Sequence, residues 1–125
     1  MNLLLDTHVL LWWLDDNRLL SAKARDAISE GTNPVFISAA VIWEITIKQS
    51  LGKLKIPDEF ETVLEHQGFE YLDINASHAY ATGRLPFFYR DPFDRMLVAQ
   101  AKVESLTLVT KDAELEKYPV SIMLA

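Results

Sequence analysis

The chain has 125 residues, half of them apolar, with 12 basic and 18 acidic side chains, a formal net charge of -6 and no cysteine. That length supports one hydrophobic core, since dividing it would leave each half too little interior to offset chain entropy. The composition excludes a disordered or low-complexity chain, and the missing cysteine excludes disulfide scaffolds, thiolate zinc sites and thiol nucleophiles.

The longest run free of Asp, Glu, Lys and Arg, Gly31 to Trp43, falls well short of the ~18 residues that a membrane span needs. Asp6 interrupts the apolar N-terminal residues and no basic flank precedes them, so no secretory signal is expected and a cytoplasmic location is. Negative net charge argues against indiscriminate nucleic-acid coating but leaves a local groove open.

In chain order, Asn2 to Leu5 reads as a short apolar strand that stops at Asp6, followed by the amphipathic Val9 to Leu14. Ser21 suits an N-cap for a helix over Ala22 to Glu30, closed by Gly31. Pro34 opens a strand at Val35 to Ile37, and Ser38 can cap a helix that reaches about Leu51 before Gly52. Asp58 and Glu61 have capping-box spacing, predicting a helix to about Gln67. Phe69 to Ile74 is strand-like, and Asn75 can cap a helix over Ala76 to Arg84. After an aromatic loop from Leu85 to Arg90, Asp91 and Pro92 open a helix that continues to about Glu104. Thr107 to Thr110 and Val120 to Leu124 complete the strands. Short apolar strands separated by helices of about ten residues predict an α/β fold of three layers, α/β/α, around a mostly parallel sheet of four to five strands.

Ligands in such sheets sit outside the carboxyl ends of the strands, which directs attention to the acids there. Asp6 follows the first strand directly, and Asp112 follows Thr107 to Thr110 after Lys111 alone. Each has a bland reading as a helix cap. Glu44 is the only charge in Ala39 to Ile47, and its helical neighbours Ala40, Val41 and Ile47 turn it inward; the bland reading is an ion pair with Lys48, four residues on. Asp91 is fully explained as a cap. Asp94 shares a stripe with Leu97, Val98 and Ala101 and so tends toward the sheet.

Asp6, Glu44, Asp94 and Asp112 thus come from separate elements that the topology can bring to one end of the sheet. Two carboxylates ~5 Å apart at an effective dielectric of about 20 repel by ~3 kcal/mol, so four need cations. Oxygen-only ligands select Mg²⁺ or Mn²⁺ over Zn²⁺, and such an ion suits phosphodiester hydrolysis. His8 reads as a packed or exposed side chain rather than a ligand.

Four segments then carry a resemblance: Leu3 to Trp12 around Asp6, Thr7 and His8; Ala39 to Ile45 around Trp43 and Glu44; Arg90 to Ala101 around Asp91, Pro92, Phe93, Asp94 and Arg95; and Leu108 to Asp112. In this order they resemble PIN-domain proteins, most of all the toxin ribonucleases of VapC type, over nearly the whole of residues 1–125. No single motif is specific, but four in order are. The resemblance implies a Mg²⁺- or Mn²⁺-dependent RNA endonuclease with Asp6, Glu44, Asp94 and Asp112 as its catalytic, metal-binding cluster. It further implies an inhibitory antitoxin as partner and a homodimer.

Supporting roles are expected for Thr7 and Ser38, whose hydroxyls orient water or phosphate or simply cap helices, for Asp91, and for Arg95, which holds Asp94 or touches RNA. Setting aside the five acids Asp6, Glu44, Asp91, Asp94 and Asp112 takes the formal charge from -6 to -1, which permits RNA binding. Lys48, Arg90 and Lys111 are the expected phosphate contacts, with Lys53, Lys55 and Arg84 as further candidates. Trp12, Trp13, Phe87, Phe88 and Tyr89 are candidates for base stacking or partner contact.

Two other classes compete. A metal-dependent phosphatase or phosphotransferase usually places a second acid two residues after the first, where this chain has His8. A non-catalytic module that binds Mg²⁺ or RNA would not need all four acids, and a receiver-like domain would pair Asp6 with an acidic neighbour that it lacks.

Overall fold

A computed structural model describes residues 1–125. Five strands, β1 (Leu3–Leu5), β2 (Val35–Ser38), β3 (Glu70–Leu72), β4 (Thr107–Thr110) and β5 (Ser121–Leu124), form one sheet in the order β3-β2-β1-β4-β5. Every pairing is parallel. Six helices flank it: α1 (Thr7–Leu14), α2 (Ala22–Ser29), α3 (Ala39–Ser50), α4 (Phe60–Glu65), α5 (Ala76–Arg84) and α6 (Pro92–Glu104). A 3-10 helix over Ala113–Lys117 joins β4 to β5. The expected three-layer α/β/α architecture is the one observed.

The central strand explains itself. Leu3, Leu4 and Leu5 are all fully buried, as a parallel strand covered on both faces requires. Around them 25 buried residues form one apolar cluster that includes Ile37, Ile45, Leu97, Leu108 and Leu115.

Local signals set most boundaries. Ser21 Oγ accepts from Ala24 N–H, Asn75 Oδ1 accepts from His78 N–H, and Asp91 Oδ1 accepts from Phe93 and Asp94 N–H, so the expected caps form. Gly52 and Gly68, at φ of 72° and 74°, turn the chain after α3 and α4 in the left-handed region that favours glycine.

Two expectations change. Asp58 and Glu61 make no capping box, because α4 starts at Phe60 behind Glu59, which gives no side-chain cap. The third strand is only Glu70–Leu72, shorter than Phe69 to Ile74, since it lies at the sheet edge with Glu70 and Tyr71 exposed. No helix is long and apolar enough to cross a membrane.

Candidate active site

The switch in strand order at β1 sets the site. β1 pairs with β2 on one side and β4 on the other, and Leu5 is in register with Val109. Asp6 N–H donates to the Val109 carbonyl at 3.0 Å, so the two chain segments leaving β1 and β4 start side by side. Asp6 and Asp112 therefore meet at the carboxyl edge of the sheet. The helices that follow β2 and the aromatic loop bring Glu44 and Asp94 to the same edge. A cavity of about 190 Å³ there is walled by Asp6, Glu44, Asp91, Asp94 and Asp112, with Thr7, His8, Lys48, Tyr89 and Lys111 completing it.

Asp6, Asp91 and Asp112 each use one carboxylate oxygen, Oδ1, as a helix cap. Asp6 Oδ1 caps α1 by accepting from Val9 N–H at 2.8 Å, and its Oδ2 accepts from Thr110 Oγ1 at 2.6 Å. Asp112 Oδ1 caps the 3-10 helix through Glu114 N–H at 3.0 Å, while its Oδ2 accepts from the Tyr89 hydroxyl. Cap and cavity wall are thus the same residues, and the bland reading of these acids is compatible with the chemical one. Thr7 Oγ1 donates to Glu44 Oε1 at 2.5 Å, and Lys48 Nζ lies 2.7 Å from Glu44 Oε2. Thr7 thus lies in the cavity wall against Glu44.

Electrostatics in this cavity are unbalanced. Burial raises the Asp6 carboxyl above its ordinary range, against the lowering effect of its Thr110 and Val9 hydrogen bonds. Asp94 accepts no hydrogen bond. Burial first, then the charges of Asp91, Asp6, Glu44 and Asp112, push its pKa from 3.8 up to about 7. His8, exposed at the cavity wall, is lowered by desolvation and by the neighbouring Lys111.

Since Asp94 binds its proton more tightly in the folded chain, its penalty is absent below about pH 4 and accrues as pH rises through 7. Asp94→Asn removes that penalty. After discounting for partial solvent screening, the variant is expected to exceed the parent chain in stability by about 1–2 kcal/mol at pH 8 and to match it near pH 4, as read by urea denaturation in metal-free buffer. A variant less stable at pH 8 would show that Asp94 is not held at a charge cost.

Other expected residues lie elsewhere. Arg95 neither holds Asp94 nor reaches the cavity: it is buried, donating Nη1 to the Pro86 carbonyl at 3.0 Å and to the Tyr118 hydroxyl at 3.2 Å, and Nη2 to the Thr82 carbonyl at 2.8 Å. Successive residues on a helix diverge by about 100°, so adjacency to Asp94 in sequence directs Arg95 away from it. Ser38 is buried and caps α3 through Ala40 N–H at 3.0 Å; it is not part of the cavity wall. Arg90 lines a neighbouring cavity instead, whereas Lys48 and Lys111 border the acids. Tyr89 is the residue that sequence placed only among generic aromatics. Its hydroxyl is raised well above the usual phenol range, chiefly by its hydrogen bond to Asp112.

The profile of the PIN domain family matches residues 3–120. This chain belongs to the PIN domain family. The PIN domain is 32% identical over 120 residues to Ribonuclease VapC22 of Mycobacterium tuberculosis (strain ATCC 25618 / H37Rv), covering 92% of this chain and 90% of that protein. In fold the PIN domain is similar to a chain of VapBC2 from Rickettsia felis, crystallised with a DNA fragment from their promoter, with a TM-score of 0.77 and 18% identity over 100% of this chain and 99% of that one. It is also similar to a chain of DNA-bound VapBC from Salmonella typhimurium, with a TM-score of 0.73 and 21% identity over 98% and 97% of the two chains.

Proposed function

We propose that this chain is a Mg²⁺- or Mn²⁺-dependent endoribonuclease and the toxin of a toxin-antitoxin pair. One observation carries the reading: five acids from four separate segments wall one cavity at the carboxyl edge of the sheet, with Lys48 and Lys111 the only lysines or arginines beside them. The ribonuclease relative supports RNA as the substrate, and the VapBC complexes whose chains share this fold support an antitoxin partner; assembly as a homodimer belongs to the same proposal.

The donor set fits a hard divalent cation, being all oxygen with no thiol in the chain. No three His, Asp or Glu side chains already stand at metal-holding geometry. Glu44 and Asp112 are instead drawn to Thr7, Lys48 and Tyr89, contacts that a cation would replace in part. Asp6, Glu44, Asp94 and Asp112 would hold the ion, whose chemistry is activation of water and neutralisation of charge at the phosphoryl centre.

The chain's own residues do the rest. Asp91 fixes the first turn of α6 and so the position of Asp94, and Thr7 fixes the Glu44 carboxylate. Lys48 and Lys111 offer positive charge to the phosphates of the incoming strand. Purified protein is expected to cleave a pool of structured and single-stranded RNAs with Mg²⁺ or Mn²⁺ and to stop when EDTA is added. Equal cleavage with EDTA would contradict the metal assignment, and a folded protein that leaves every RNA intact would contradict the nuclease.

A further inference from the structure

Beside the acidic cavity lies a second one of opposite character. Its volume is about 500 Å³, within the range of small-ligand sites, and its lining includes Trp43, Phe87, Phe93, Arg90 and Arg95 but no acid. Trp43 and Phe93 meet edge to face, with ring centroids 5.4 Å apart. Trp43 and Phe87 are not spent on the core: Trp43 is 60% exposed, and Phe87 is 75% exposed even though the Arg95 guanidinium lies 4.6 Å from its ring centroid. Arg90 is exposed and enters none of the four ion pairs of the chain.

Chain continuity joins the two cavities. Trp43 precedes Glu44, Phe93 precedes Asp94, and Arg90 precedes Asp91, so each acid on this side has an aromatic or basic neighbour facing the other cavity. A strand whose phosphate enters the acidic cavity can lay an adjoining nucleotide against this wall. Open π-faces with a nearby guanidinium are the chemistry that holds an unpaired base and its phosphate, whatever the base.

Resting on the ribonuclease reading, we infer that this cavity is a base-stacking subsite that receives an unpaired nucleobase next to the scissile phosphodiester, with Trp43 as its platform and Arg90 on the adjoining phosphate. The subsite accepts any base at that position, because every base offers a π-face.

The test uses the Asp94→Asn chain, so that cleavage does not interfere, and fluorescence anisotropy in Mg²⁺. The probes are a labelled single-stranded oligoribonucleotide of random sequence and a base-free ribose-phosphate strand of equal length. The base-bearing strand is expected to bind about tenfold more tightly. Adding Trp43→Leu, an exposed and apolar exchange, is expected to erase that difference without weakening the base-free strand. Adding Arg90→Ala is expected to weaken both strands alike, about threefold.

If RNA binds but Trp43→Leu leaves the tenfold preference intact, the subsite is wrong and the nuclease reading stands. If neither strand binds, the nuclease reading falls with it. If Trp43→Leu instead turns a dimer into a monomer by light scattering without changing the preference, the occupant is a second copy and the inference is overturned.

Discussion

Asp94→Asn and Asp6→Asn are each expected to lower RNA cleavage by at least about a hundredfold while leaving the chain folded. The argument rests on what asparagine keeps. At position 6 it retains an oxygen that can accept from Val9 N–H, and it is as good an N-cap as aspartate, so α1 survives. At position 94 the carboxylate accepts no hydrogen bond, so nothing in the fold depends on its charge, and burial among four other acids makes that charge a cost. Each exchange removes one negative charge and one cation ligand; at position 6 it also replaces the acceptor of the Thr110 hydroxyl with an amide NH2, a local cost that leaves the α1 cap in place. Initial rates on a fluorogenic RNA, with circular dichroism as the check on folding, decide the matter; activity within threefold of the parent chain would show that these acids are not the centre.

A second large effect belongs to stability. Arg95→Leu is expected to cost about 2–4 kcal/mol and to lower Tm by about 10 °C. The guanidinium ties the end of α5, the loop from Leu85 to Arg90 and the segment at Tyr118 through its contacts with the Thr82 and Pro86 carbonyls and the Tyr118 hydroxyl. Leucine keeps apolar bulk but leaves those acceptors without a donor, and such groups are expensive when shielded from water. Arg95→Lys recovers little, because an ammonium on a flexible stem cannot reproduce a planar fork aimed at three acceptors. The same loop carries Tyr89 to Asp112, so loosening it also frees one wall of the acidic cavity. A loss below about 1 kcal/mol in urea denaturation would contradict this account of Arg95.

Asp6 and Asp94 on one side and Arg95 on the other show what can be read from the chain and what cannot. Asp6, Glu44 and Asp112 stood out because each is a charge set in apolar surroundings or at a strand end, and that anomaly is local. Asp94 stood out through its helical stripe. Their convergence followed from strand order, since parallel strands joined by helices deliver all their carboxyl ends to one edge.

Arg95 misleads because its sequence neighbour is an acid, whereas its partners are carbonyls and a hydroxyl from 6 to 23 positions away, contacts that leave no pattern in the sequence. Tyr89 was equally hidden, as its partner Asp112 is 23 residues on and an aromatic loop has no periodicity to orient it. The spacing of Asp58 and Glu61 satisfied a capping rule, yet the chain enters α4 two residues after Asp58. A local rule permits a boundary; packing chooses it. Arg90, expected at the phosphates beside the acids, is exposed, but the turn at Asp91 sends it to the aromatic cavity rather than to the acids.

The proposed divalent cation in the acidic cavity, on which ribonuclease activity of this PIN domain would depend, is tested most directly with Mn²⁺, because its binding can be followed by electron paramagnetic resonance in the same samples used for cleavage. Binding and the rate of RNA cleavage are expected to rise together with Mn²⁺ concentration in the parent chain, and both to be lost in Asp6→Asn and Asp94→Asn. Cleavage that persists in chelator, or Mn²⁺ binding in the parent chain with every RNA left whole, would contradict this dependence.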